Sequence, residues 1–307
     1  MAKIVEMMKR VCSEFYEHHK SAIYSIVLTG SLARGDIPLD KEIFDADTVV
    51  VSRGMYNPFL CILLKRNLEK SIKNVEFDVG LSYPISRLKK EKSLLMYDIK
   101  NNGIVLAGKN VRKIVPEISP KDLYPFETIR LLMNASCHTV FSFSANQKEL
   151  SSEIDKTMKW CLAAFLLYKG KFAPSFRERK KIVQTEYPRF FGAFNEVVSC
   201  RNLGVKYEKG RLQLLKTMNL ICKDLELRDV VELINCLEKK YAYPISFRVY
   251  SFFVSKQIRS VFGNPIFDVY RFAVSFMKNF NAPVRPSIDS MEFFNEIWEK
   301  LPQPIVG

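Results

Sequence analysis

The stretch Ile26-Val27-Leu28-Thr29-Gly30-Ser31-Leu32-Ala33-Arg34-Gly35, followed by Asp45-Ala46-Asp47-Thr48-Val49-Val50-Val51, decides how this chain is read. Ile26-Val27-Leu28 is a short buried strand that runs straight into Thr29-Gly30-Ser31, and Leu32-Ala33-Arg34 begins a brief helical turn. A loop over 35–44, containing proline and aspartate, separates this turn from Asp45–Val51. The β-branched run there predicts a second strand. Residues two apart on a strand share a face, so Asp45 and Asp47 point the same way and Ala46 points into the core.

Working outward, Ile4, Met8, Val11 and Phe15 recur at helical spacing over residues 3–20, which predicts an amphipathic helix. His18 and His19 close it, where they suit the helix dipole better than a metal. Asn57-Pro58 opens a further helix in cap-then-proline order, carrying Leu60, Leu63, Leu64 and Leu68 to Lys70. Val75-Glu76-Phe77-Asp78-Val79 alternates apolar and acidic residues, the pattern of a strand with one face in a core. A helix from Ser86 ends at Asn101-Asn102-Gly103, and Ile104-Val105-Leu106 is one more strand. These elements predict an α+β N-terminal domain over residues 1–115, a small mixed sheet with helices.

The pattern changes after Val115-Pro116 and Ser119-Pro120. Beyond Leu123 the periodicity is helical, over 129–143, 151–168, 176–186, 211–239, 247–261 and 267–280, with hardly any strand pattern. An all-α C-terminal helical bundle over 121–307 is the expectation.

At 307 residues, with 48% hydrophobic and 26% charged residues, the chain has room for two domains with their own cores and is not of disordered composition. No apolar run approaches the roughly 20 residues that span a bilayer, and the N-terminus lacks the pattern of a secretory signal, so no membrane is expected and the location is read as cytoplasmic. Seven cysteines are scattered without zinc spacing or an even count for a disulfide framework, and are read as reduced. The net charge of +14 favours polyanionic partners such as nucleotides, with RNA among them. Arg177, Arg179, Lys180 and Lys181, with Phe172, Phe176 and Tyr187 around them, form the densest basic cluster. It suits either a nucleic-acid surface or a solvated helix.

Chemistry concentrates on the acidic strands. Asp45 and Asp47 share a face, and Asp78, flanked by apolar residues, can join them from a neighbouring strand. Carboxylates so crowded repel unless cations lie between them, and oxygen ligands suit Mg²⁺. Glu76 lies on the same face as Asp78 and is its rival as third carboxylate. Gly30-Ser31 allows backbone to approach a phosphate, and Arg34 one turn on adds a positive charge. The bland alternative is that the aspartates are solvated strand ends and Gly30-Ser31 an ordinary turn.

Leu28-Thr29-Gly30-Ser31-Leu32-Ala33-Arg34-Gly35, then Asp45-Ala46-Asp47-Thr48-Val49, then Phe77-Asp78-Val79, resembles the polymerase-beta-like nucleotidyltransferase superfamily. The likeness covers about the first 110 residues. It departs from the family pattern at Phe44, where serine is common, and at Ala46, where a larger aliphatic residue is usual. The resemblance implies that Gly30 and Ser31 hold a triphosphate and that Asp45 and Asp47 bind two Mg²⁺ ions, with Mn²⁺ as a substitute. Asp78 would ligate the catalytic metal. It also implies transfer of a nucleoside monophosphate, with ATP as the expected donor, to a hydroxyl of a small molecule, protein or RNA. Residues 160–179 resemble, more loosely, the helical domain of small-molecule and antitoxin-type members. Lys156 and Lys159 precede that stretch on the same helix and suit either a solvated helix face or contact with the outer phosphates, and Glu153 or Asp155 nearby is a candidate base for an acceptor hydroxyl. The competing expectation is a catalytically silent, antitoxin-like or nucleic-acid-binding protein that keeps the fold.

Overall fold

The computed structural model describes residues 2–36, 44–54, 57–80, 82–144, 147–240, 270–271, 273–275 and 277–278. Its elements run α1 (Ala2–His19), β1 (Ile23–Thr29), α2 (Gly30–Arg34), β2 (Phe44–Ser52), α3 (Pro58–Ser71), β3 (Val75–Val79), β4 (Tyr83–Pro84), α4 (Ile85–Leu88), α5 (Leu94–Asn101) and β5 (Ile104–Gly108), with a 3-10 turn at Val111–Lys113. Helices α6 (Pro120–Leu123), α7 (Phe126–Ser144), α8 (Gln147–Tyr168), α9 (Phe176–Glu186), α10 (Pro188–Val198), α11 (Leu203–Asp224) and α12 (Val230–Lys240) follow. The architecture is mixed α+β, with a small mixed sheet of five strands and many helices. No helix among the described residues is long and apolar enough to cross a membrane.

The chain divides into two compact units. Of the described residues, the first unit comprises those up to Leu123 together with Ala173–Glu178, and the second takes Tyr124–Phe172 and those from Arg179 to Lys278. In the first unit the strand order is β3-β2-β1-β5, with β4 also paired to β2. β1 pairs antiparallel with β2 and with β5, while β3 and β4 run parallel to β2. The parallel pair requires a crossover, and α3 supplies it. The Asn57 side chain accepts a hydrogen bond from Phe59 N–H at 3.1 Å and Pro58 stands at the first helical position, so the helix starts where the cap-then-proline signal puts it.

One face of the sheet forms the core. Ile26 and Leu28 of β1, Ala46 and Val50 of β2, and Val75 and Phe77 of β3 pack with Met8, Cys12 and Phe15 of α1 and Leu60, Leu64 and Leu68 of α3. Each fully buried Leu or Phe contributes about 1.5–3 kcal/mol by leaving water. Because strand residues alternate, this packing turns Asp45, Asp47, Glu76 and Asp78 to the opposite face.

A single helix from Ser86 to Asn101 is not what forms. The Ser93 side chain accepts from Met96 N–H at 3.4 Å and so starts a new helix, leaving α4 and α5 separated by residues 89–93.

Among its described residues the second unit is helical. α7 and α8 pack along each other and α11 packs on both, with Leu132, Met133 and Val140 of α7, Met158, Leu162 and Leu166 of α8, and Leu214, Met218 and Ile221 of α11 all buried. The helix expected over 211–239 is two helices. Glu226 adopts the left-handed conformation (φ 54°), Leu227 N–H returns to the Cys222 carbonyl at 2.9 Å, and Asp229 caps α12 through Val231 N–H at 2.7 Å. α10, opened by Pro188 at its first position, has no counterpart in the sequence reading. The helix expected over 247–261 lies outside the described residues, as does much of 267–280, of which Tyr270, Arg271, residues 273–275, Met277 and Lys278 are helical.

Candidate active site

β1 ends at Thr29, which pairs with Asp47 of β2, and the Thr29 hydroxyl donates to the Asp47 backbone carbonyl at 3.3 Å. Gly30 follows with φ 72°, a left-handed conformation that glycine adopts without strain. It also meets a steric demand, because a Cβ here would lie 1.7 Å from Asp47 Oδ2. The backbone of the Gly30 turn therefore lies directly against that carboxylate. Gly35, left-handed as well, ends α2.

The parallel pairing of β2 with β3 sets Asp45 opposite Glu76 and Asp47 opposite Asp78. Asp78 is thus level with Asp47 and with the Gly30 turn, whereas Glu76 is one step toward Asp45. Asp47 is half-buried; Asp45, Glu76 and Asp78 are exposed. Burial first, and then the negative charges of Asp78 and Asp45, push the Asp47 carboxyl up to about 7. Asp78 is raised by desolvation and by Asp45, against the pull of the Lys65 charge. Neither the Asp47 nor the Asp78 carboxylate has a hydrogen bond or ion pair among the described residues.

Oxygen ligands of this kind suit a hard divalent cation. Mg²⁺ is commonly held by one or two carboxylates and completes its shell with water and phosphate oxygens. The Asp47 and Asp78 pair fits that mode, with Asp45 two residues away on the same face. As the chain stands, no three His, Cys, Asp or Glu side chains among the described residues gather closely enough to hold an ion by themselves.

Arg34, expected to meet phosphate, is committed elsewhere. Its Nε donates to Asp36 at 3.1 Å and its Nη1 to Asp98 at 3.0 Å, with the side chain 12% exposed. The Gly30 N–H is also taken, by Asp98 Oδ2 at 2.9 Å. The Ser31 hydroxyl makes no hydrogen bond among the described residues. Asp98, which holds both the Gly30 N–H and Arg34, is a residue of the site that the sequence does not single out. Its signal was present: an ionisable residue inside the apolar run Leu94-Leu95-Met96-Tyr97-Asp98-Ile99, in a helix buried on every side, needs partners to be there.

Lys156 and Lys159 lie on α8 in the second unit. Lys156 donates to Glu153 at 2.9 Å, and Lys159 is exposed. Glu153 also bonds His138, whose ring meets Trp160 edge-on. Burial raises the Glu153 carboxyl, but His138 and Lys156 more than offset this and hold it at about 2. Asp155 pairs with the buried Lys206 at 2.8 Å. In the basic cluster, Arg179 stands over the Phe172 ring at 4.1 Å and Lys180 over Phe191 at 5.9 Å, while Arg177 belongs to the segment in the first unit.

The first unit therefore brings together Gly30, Asp45, Asp47 and Asp78, with Ser31 and Arg34 on the turn beside them. No known protein family, curated protein or solved structure matches the chain.

Proposed function

We propose that the chain is a Mg²⁺-dependent nucleotidyltransferase whose α+β first unit is a nucleotidyltransferase domain of the polymerase-beta-like kind. The observation that carries this reading is the register of β2 and β3. It sets Asp47 and Asp78 side by side, without an ion pair among the described residues, with the Gly30 turn packed against Asp47. Carboxylates pushed toward protonation by one another are stabilised by a cation, and a glycine turn beside them lets phosphate approach.

Asp45, Asp47 and Asp78 would hold the cation, whose chemistry there is to offset negative charge building on the α-phosphate and the leaving group. The acceptor hydroxyl attacks the α-phosphorus in line, forming the new P–O bond as the bond to the β-phosphate oxygen breaks. Pyrophosphate leaves with that electron pair. Asp78, the exposed member of the pair, would take the hydroxyl proton. Ser31 offers its hydroxyl to the triphosphate, while Arg34 acts from behind the turn. ATP is the donor on this reading. Seven unpaired thiols fit a reducing, cytoplasmic setting.

A second reading, a binding protein that keeps the fold without turnover, draws on the absence of a ready three-ligand group among the described residues. Incubation with Mg²⁺, each α-labelled nucleoside triphosphate and cell extract split into RNA, protein and small-molecule fractions separates the two. Label should enter one fraction with wild type and none with Asp47→Asn. Equal labelling by both proteins would sink the enzyme reading, and RNA capture indifferent to Asp47→Asn with no labelling would favour the second.

A further inference from the structure

Asp98 belongs to no motif that points to the site, yet it is only 4% exposed and directs its carboxylate at the turn. One oxygen, Oδ2, accepts both the Gly30 N–H at 2.9 Å and Arg34 Nη1 at 3.0 Å, while Oδ1 accepts Asn102 Nδ2 at 2.9 Å. A buried carboxylate is tolerated because three donors, one of them cationic, satisfy it. Arg34 is gripped from its other edge by Asp36, whose Oδ2 also accepts the Phe176 N–H at 2.9 Å. The guanidinium is thus held between two carboxylates.

Its neighbour Asp47 has no such partner among the described residues. Gly30 touches Asp47 Oδ2 on one side and Asp98 Oδ2 on the other, so both carboxylates and the guanidinium lie around a single turn. Arg34 stands across the Gly30 turn from Asp47, sharing Asp98 Oδ2 with the Gly30 N–H. An arginine this close to an unpaired carboxylate should neutralise it. Here Asp98 and Asp36 outcompete Asp47 for the guanidinium.

We propose that Asp98 is a positioning residue of the site: it fixes the Gly30–Ser31 turn against Asp47 and detains Arg34, so that the Asp47 oxygens stay open to a divalent cation. The inference rests on the reading of Asp47 as a cation ligand. With Asp98 removed, the Gly30 N–H loses its acceptor and Arg34 keeps, among the described residues, Asp36 alone. Asp47, against the same Gly30 turn and without an ion pair among the described residues, then competes for the guanidinium, and an Arg34–Asp47 ion pair blocks the ligand oxygens.

Mn²⁺ binding to the full-length protein, read by electron paramagnetic resonance, tests this without any need for turnover. Asp98→Ala should weaken Mn²⁺ binding about 10- to 100-fold, the usual effect of removing a group that orients a ligand. Adding Arg34→Gln should return it to within about threefold of wild type, because the blocking cation is gone. Asp98→Asn keeps an acceptor for Gly30 but no anion for Arg34. It should show the same loss and the same recovery, and it decides the matter if the alanine variant does not fold. In nucleotide transfer, Asp98→Asn should raise KM for the metal–nucleotide more than it lowers kcat. Mn²⁺ binding unchanged in both Asp98 variants, or no recovery on adding Arg34→Gln, overturns the proposal, since a purely structural role leaves the double variant no better than the single. Wild-type Mn²⁺ binding that Asp47→Asn fails to weaken overturns instead the placement of the cation at Asp47, and that control tells the two failures apart.

Discussion

Gly30 and Asp47 are in such close contact that a Cβ on residue 30 would stand 1.7 Å from Asp47 Oδ2. The same position has φ 72°, so Gly30→Ala is opposed by both steric overlap and backbone strain. The variant should lose about 1–3 kcal/mol of stability in denaturant unfolding. It should also lose nucleotide transfer, because Asp47 must turn away to make room. A variant as stable and as active as wild type would show that the turn does not pack as described.

The Asp47 carboxyl, raised to about 7 from an ordinary 3.8, makes the metal-free protein sensitive to pH. A raised folded-state pKa means that the folded protein binds the proton more tightly than the unfolded chain. This contribution to stability is complete below about 4 and is lost as pH rises through 7. Between pH 5 and 8 the metal-free wild type should therefore lose more stability than Asp47→Asn does, by roughly 2–4 kcal/mol at most. Mg²⁺ should remove the difference at pH 8. Parallel pH profiles for the two proteins in thermal unfolding would refute the argument.

Asp78 and Glu76 share a strand face but differ in register, Asp78 facing Asp47 and Glu76 facing Asp45. Asp78→Asn should lower kcat by roughly 10²-fold or more, the scale of losing a metal-ligand contribution. Glu76→Gln should change it by no more than about threefold. Measured turnover with the labelled acceptor checks both, and a larger loss from Glu76→Gln would reverse the assignment.

In the second unit Lys206, 3% exposed, is held by Asp155 at 2.8 Å and by the Ser151 hydroxyl at 2.9 Å. Asp155→Ala leaves that ammonium buried without its counter-ion. The expected cost is about 2–3 kcal/mol, below the full penalty of a buried pair because Asp155 itself is partly exposed. Lys206→Met in the Asp155→Ala background should recover most of it. Chemical denaturation of the two variants decides whether the ion pair or the packing matters.

Much of the first unit can be read from residues alone because its signals are local. Asn57-Pro58 caps and starts α3, β-branched runs mark β2, and alternation in Val75–Val79 turns Asp78 to the face that Asp45 and Asp47 occupy. What periodicity misses depends on partners distant in sequence. Arg34 reads as a phosphate ligand until Asp98, 64 residues on, is seen to hold it. The break before Ser93 and the left-handed Glu226 interrupt patterns that are helical on both sides, so hydrophobic spacing runs across them unbroken. α10 escapes notice because the proline that opens it also reads as punctuation.

The return of Ala173–Glu178 to the first unit bears on how the protein can be divided. Asp36, at the end of the Gly30 turn, accepts a hydrogen bond from Phe176, which is synthesised 140 residues later. A fragment ending at Leu123 would contain every carboxylate of the site and still leave Asp36 short of a partner. The two units are therefore not interchangeable cassettes. During synthesis the Phe176 hydrogen bond to Asp36 forms only after α7 and α8 have already left the ribosome.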